Sequence, residues 1–219
     1  MKREIRLTAD GSPTLYVPEL DETYHSKHGS VQEAKHVFIE HGLKHAFTQF
    51  EKVHVLEIGF GTGLNALLSA LFAFENKLPI KYTGMEAFPV EEQIWTALSY
   101  SSVKEEQIYY NELMRSKWEV PQELHPFFTL TKTAVKIQEW QPDDKFDLIY
   151  FDAFGPNAQA DMWQKSIFEK LYGVLNHGGV MVTYCAQGQF KRDLKAVGFS
   201  LEALPGPPGK REMTRATKN

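Results

Sequence analysis

Cysteine is almost missing: Cys185 is the only one in 219 residues, so no disulfide can form within the chain and no cysteine cluster can hold zinc. No stretch reaches the ~18 consecutive apolar residues that a membrane-crossing helix needs. The charged start Met1-Lys2-Arg3-Glu4-Ile5-Arg6 leads into no apolar signal core. These absences point to a cytoplasmic protein with no membrane partner. A metal motif is also lacking. His41 and His45 have the i, i+4 spacing of a ligand pair but not the glutamate of H-E-x-x-H, nor a third ligand, so they read as surface residues and no metal is expected. Positive charge is scarce overall, with a formal net charge of -4, which argues mildly against binding nucleic acid through charge alone. The deficit is uneven. From residue 189 onward seven Lys/Arg face three acids, so that stretch carries +4 and the remainder -8. Such a tail is either a docking site for a polyanion or an ordinary solvated surface.

What is present suits one α/β domain. Hydrophobic residues make up 42% and charged residues 24%, enough to fill a core and too apolar for disorder. Residues 5–20 read as a small hairpin turning at Asp10-Gly11, and residues 30–50 as a helix. Strands then alternate with helical stretches: 53–58, 80–86, 127–131, 146–152 and 180–184 as strands, 64–74, 91–118 and 189–197 as helices. The continuous apolar run at 146–152 suits a strand covered on both faces. Residues 199–204 and 212–216 flank the turn-forming run Pro205-Gly206-Pro207-Pro208-Gly209, so they should pair antiparallel.

The most informative segment is Val55-Leu-Glu-Ile-Gly-Phe-Gly-Thr-Gly-Leu-Asn65. A strand runs into Gly59, Gly61 and Gly63 and straight on into a helix. Glycines are required where a backbone turns tightly and must approach a ligand. The dinucleotide fingerprint G-x-G-x-x-G is not met, because Leu64 stands at its third glycine position, so a nicotinamide enzyme is disfavoured. Glu86, near the end of the second parallel strand and roughly 20 residues past the loop, is placed to accept both hydroxyls of a ribose. Ligands of open α/β sheets bind outside the carboxyl ends of the strands, which draws attention to Asp152 in Phe151-Asp-Ala-Phe-Gly-Pro156.

An acid two residues before G-x-G-x-G resembles motif I of the S-adenosylmethionine-dependent methyltransferases. The resemblance implies a Rossmann-like class I α/β fold: a mostly parallel sheet with a C-terminal antiparallel hairpin. An N-terminal hairpin and helix, residues 1–50, would pack on a cofactor-binding domain, residues 51–219. It implies that Glu57, Gly59, Gly61 and Gly63 hold the methionine and ribose portions of the cofactor, with Glu86 on the ribose. The acid that many relatives place against adenine is missing, and Thr133 and Ala134 stand there instead.

A narrower resemblance covers nearly the whole chain. The Asp152 block, Asp161-Met-Trp163, Gly209-Lys-Arg-Glu-Met213, and Tyr24-His25-Ser26 with Glu33 are similar to the methyltransferase half of the MnmC family. That half completes 5-methylaminomethyl-2-thiouridine at the tRNA wobble position. The resemblance implies Tyr24 and Glu33 at the cofactor and Asp152 as the group that accepts the amine's proton or orients it. Phe154, Trp163 and Tyr184 would stack on the uracil, and Lys210 and Arg211 would hold phosphates of the tRNA anticodon region. The oxidase half is absent from the sequence, so a separate oxidase activity would supply the substrate. A small-molecule amine acceptor and a non-catalytic cofactor-binding protein remain the alternatives.

Overall fold

Alternation of apolar residues along the strands sets two covered faces. In the computed structural model, which describes residues 2–219, eight strands form one sheet in the order β10-β11-β9-β8-β4-β5-β7-β6. The five central strands run parallel: β9 (Leu175–Thr183), β8 (Phe146–Phe151), β4 (Val53–Ile58), β5 (Ile80–Met85) and β7 (Phe128–Thr133). At one edge β11 (Glu212–Lys218) lies antiparallel to β9, and β10 (Phe199–Pro205) antiparallel to β11. At the other edge β6 (Gln122–His125) lies antiparallel to β7. A separate antiparallel sheet joins β1 (Glu4–Leu7), β2 (Pro13–Val17) and β3 (Glu22–Thr23).

Val53 and Val55 of β4 share a core layer with Leu148, Tyr150, Val180 and Val182, while Leu56 and Ile58 share the opposite one with Ile149, Phe151 and Met181. The first layer lies under the N-terminal helix and the Leu64–Asn76 and Lys104–Arg115 helices; the second lies under the Lys165–Val174 and Gly188–Val197 helices. Each buried aliphatic side chain is worth about 1.5–3 kcal/mol, and a one-residue slip of β4 would exchange both sets. The same alternation turns Glu57 toward the first layer, beneath the helix that follows the glycine loop.

The N-terminal helix consists of three abutting segments, Ser30–Ala34, Lys35–Leu43 and Lys44–Ala46, the middle one wound as a π-helix. It seats Gly42 directly on the sheet: a Cβ there would lie 2.9 Å from Val182 and 3.2 Å from Tyr150.

Four differences from the sequence reading have physical causes. The expected helix over 91–118 is two, Glu92–Trp95 and Lys104–Arg115. Between them the Ser101 hydroxyl accepts the Val103 N–H and the Ser99 hydroxyl donates to the Ser101 carbonyl, and such local bonds compete with helix. The Lys165–Val174 helix is unread, although Ile167, Phe168, Leu171 and Val174 form a buried face. β6 is a polar edge strand with no alternating pattern to reveal it. β9 begins at Leu175 rather than 180, past a register shift against β8. Among the described residues no helix is long and apolar enough to cross a membrane.

Candidate active site

All three loop glycines adopt positive φ: 91° at Gly59, 50° at Gly61 and 74° at Gly63. Two of them are also hemmed in by backbone or core. A Cβ on Gly59 would lie 2.6 Å from the Asp152 carbonyl oxygen, and one on Gly63 2.6 Å from the Met114 sulfur. Gly59 therefore lets the loop after β4 lie against the end of β8, which brings the two sequence-predicted features together. The Glu86 carboxylate closes the loop from the other side, accepting the Gly61 N–H at 2.9 Å and the Phe88 N–H at 2.8 Å.

These elements bound a cavity of about 550 Å³, within the range of small-molecule sites. Gly59, Gly61, Glu86, Asp152, Phe154 and Tyr24 all reach its wall. The Tyr24 ring covers Gly61, 3.0 Å from where a Cβ would stand, and meets Phe154 edge-on at 5.1 Å. Burial pushes the Tyr24 phenol up to about 12, so it stays protonated. Its oxygen accepts from Arg3 Nε at 2.9 Å, while the same guanidinium reaches Glu91 at 2.7 Å and the Phe88 carbonyl at 2.6 Å. Arg3 thus ties the N-terminal strand across the cavity. The sequence reading passed over it, since an arginine in a charged start carries no signal of its own.

Thr133 and Ala134 stand elsewhere than expected. The wall on that side is formed by residues 135–139, and the Ala134 N–H is taken by Glu119 at 2.7 Å. Their backbone continues β7 rather than turning into the cavity, with the Thr133 carbonyl bonded to the Glu86 N–H.

Glu57 does not reach the wall either; it is 1% exposed, behind Asn65. Asn65 Nδ2 donates to Glu57 Oε1 at 2.8 Å and to Asp152 Oδ2 at 2.9 Å. Burial pushes the Glu57 carboxyl well above the usual carboxylate range. Asp152 is pushed up to about 7, first by burial and then by the charge of Glu33, while the Asn65 bond and Lys210 pull the other way. A carboxyl poised near neutrality at a cavity wall can exchange a proton with a bound amine. The sequence reading missed Asn65, although its place at the start of the helix after the glycine loop was visible.

On the far side of Asp152, Glu33 and Lys210 form an ion pair at 2.6 Å, the Glu33 carboxylate only 11% exposed. Glu33 also accepts the Ser26 N–H at 3.1 Å. The Lys210 ammonium lies 3.9 Å from the centre of the Tyr184 ring, whose hydroxyl donates to the Ala153 carbonyl at 2.8 Å. Lys210 therefore turns inward, against the expectation that it holds phosphate. Glu33 likewise faces this cluster rather than the cofactor cavity. Tyr184, Lys210 and Arg211 line a second, more open cavity of about 530 Å³ together with Gly155, Pro156 and Gln187. Trp163 is the clear correction: it packs edge-on against Phe151 and Phe190 in the core, its indole N–H donating to the Phe154 carbonyl at 2.7 Å, so no face is free to stack on a base.

A nucleoside cofactor with an aminoacyl tail fits this chain. The glycine floor tolerates no side chain, Glu86 keeps lone pairs for hydroxyls, and Glu86, Asp152 and Asp161 on the wall suit a cationic ligand. A sequence model described as S-adenosyl-L-methionine-dependent methyltransferase matches residues 101–219, more than half of the chain. The chain belongs to that family.

Similar proteins are consistent with this. The tRNA 5-methylaminomethyl-2-thiouridine biosynthesis bifunctional protein MnmC of Cupriavidus metallidurans is 29% identical over 96% of this chain and 33% of its own length. Its counterpart in Leptospira interrogans is 30% identical over 94% and 34%. This methyltransferase thus spans about one third of the length of the curated relatives it matches. The crystal structure of MNMC2 from Aquifex aeolicus superposes with a TM-score of 0.82 at 23% identity, covering 99% of this chain and 70% of that one, and shows the same fold. The methyltransferase uses S-adenosylmethionine, as the sequence reading expected, on a class I Rossmann-like sheet.

Proposed function

We propose that this methyltransferase acts in the cytoplasm on tRNA, adding a methyl group to the primary amine of 5-aminomethyl-(2-thio)uridine at the wobble position. One observation carries the chemistry: Asp152, half-buried and raised to about 7, stands on the cofactor cavity's wall beside the Glu33–Lys210 pair. The relatives, named for biosynthesis of that wobble nucleoside, support the substrate. An oxidase activity would supply the free aminomethyl group. In this reading residues 1–50 cover the site and residues 51–219 carry the cofactor.

Bound S-adenosylmethionine supplies an electrophilic methyl on a cationic sulfur, which an amine takes only through a free lone pair. Gly59 and Gly61 would give the cofactor a backbone bed, Gly63 turning the chain into the helix behind it and not reaching the cavity as expected, and Glu86 would hold its ribose hydroxyls. Asp152 takes the proton that an alkylammonium must lose, and it does so best near its own titration point. Phe154 and Tyr184 would flank the uracil, and Arg211, exposed at the second cavity, would meet phosphate.

The test is transfer of labelled methyl from S-adenosylmethionine to tRNA carrying unmethylated aminomethyl-uridine, against tRNA lacking that group. One methyl per tRNA on the first and none on the second is expected. A small-molecule amine is the second reading, favoured by the ion pairing of the C-terminal cations: Lys191 with Glu212, Lys210 with Glu33, and Arg215 with Glu202. Equal methylation of a free alkylamine would select it.

A further inference from the structure

We propose that Asn65 is a positioning residue for methyl transfer, its side-chain amide fixing the Asp152 carboxyl toward the acceptor and tying it to the glycine loop. The proposal rests on the role given to Asp152 above.

Asn65 is 3% exposed in the first turn of the Leu64–Asn76 helix, two residues past Gly63. Its Nδ2 carries two hydrogens, and the two acceptors within reach are Glu57 Oε1 at 2.8 Å and Asp152 Oδ2 at 2.9 Å. Asp152 in its carboxylate form accepts only from an N–H, which fixes the amide with Nδ2 toward it. That leaves Asn65 Oδ1 buried with no partner among the described residues. An unsatisfied buried acceptor is destabilising, and here it is the consequence of turning the amide's donor side toward the two carboxyls. Buried polar groups without full satisfaction call for an explanation beyond stability. Here the amide holds one Asp152 oxygen and leaves the other free, on a helix that starts from the cofactor loop. Movement of the loop is thereby felt at Asp152.

The other charged or titratable groups that face Asp152 are Glu57 and Tyr82 in the layer beneath, Glu33 and Lys210 across the acceptor side, and Tyr184 on the strand end beside it. None but Asn65 donates a side-chain hydrogen bond to it among the described residues.

Asn65→Leu and Asn65→Ala both remove the donor, one keeping the side chain's bulk and one not. Each should bind S-adenosylmethionine within about twofold of wild type by calorimetry while single-turnover transfer falls roughly 10- to 100-fold, as loss of a bond to a charged group implies. The acid limb of the rate profile should move to higher pH in both. In the unmutated protein the Asn65 side-chain amide resonances should shift in one step as pH passes through about 7, a readout needing no acceptor and no variant to fold. The proposal is overturned by wild-type transfer in either variant, by equal loss of cofactor binding and transfer, or by amide resonances that do not move through that step. Failure of tRNA methylation with the amide step intact would overturn the substrate reading and leave the Asn65 assignment standing.

Discussion

The two halves of the site are built in different ways. The cofactor half is backbone: three glycines in positive φ, a carboxylate that accepts two main-chain N–H groups, and a tyrosine ring laid over a glycine. The acceptor half is side chain on side chain: Asn65 to Asp152, Glu33 to Lys210, Lys210 over Tyr184. A backbone cradle fixes shape and tolerates few residues. A cluster of side chains fixes charge and tunes a proton affinity. The difference separates binding of the methyl donor from activation of the acceptor, and substitutions can test that separation.

The largest effect belongs to a place where the halves meet backbone against backbone. Gly59→Val should lose measurable S-adenosylmethionine binding and transfer together, because a side chain there meets the Asp152 carbonyl and needs a strained φ. Calorimetry and transfer assays check this, and retained affinity would mean that the loop does not bed the cofactor. Asp152→Asn should instead lower transfer by ~10²- to 10⁴-fold, the range of a lost acid–base group, far more than it weakens cofactor binding. A matching drop in affinity would erase the distinction between the halves. Glu86→Ala should weaken cofactor binding by about 1.5–3 kcal/mol and spare the transfer rate at saturating cofactor.

The finest effect is in pH. Transfer requires Asp152 as carboxylate, so the rate should rise as pH passes upward through about 7 and then level. Lys210→Met removes a charge that lowers this point and should move the limb up; Glu33→Gln removes one that raises it and should move the limb down. Shifts in the opposite directions would mean that another group controls the limb.

How much of this was legible follows from the same difference. The loop could be read because geometry dictates glycine at fixed spacing, and Glu86 because a strand end at a known distance is the natural site for an acid. Asp152 was visible as a polar residue closing an apolar strand. The partners that give it its proton affinity were not legible as such. Glu33 and Lys210 are 177 positions apart and Asn65 and Asp152 are 87 apart, so only the folded sheet brings them together. Trp163 and Tyr184 look alike as aromatics beside strand ends, yet one packs in the core and one faces the acceptor side. Thr133 and Ala134 were misplaced because β7 runs on to Thr133, which moves the turn into the cavity past them.

The π-wound stretch Lys35–Leu43 bears on how relatives are to be aligned here. Winding i to i+5 takes up more residues per turn than an α-helix. Dropping one residue from that stretch and relaxing it to α would leave Glu33 near its present angle to the buried face, because the wider turns are what absorb the extra residue. Across such an indel an acid that keeps this phase could still reach Lys210, although its count along the chain from the residues after the helix has changed by one. Within this helix, equivalence is a matter of phase around the axis rather than of position along the chain.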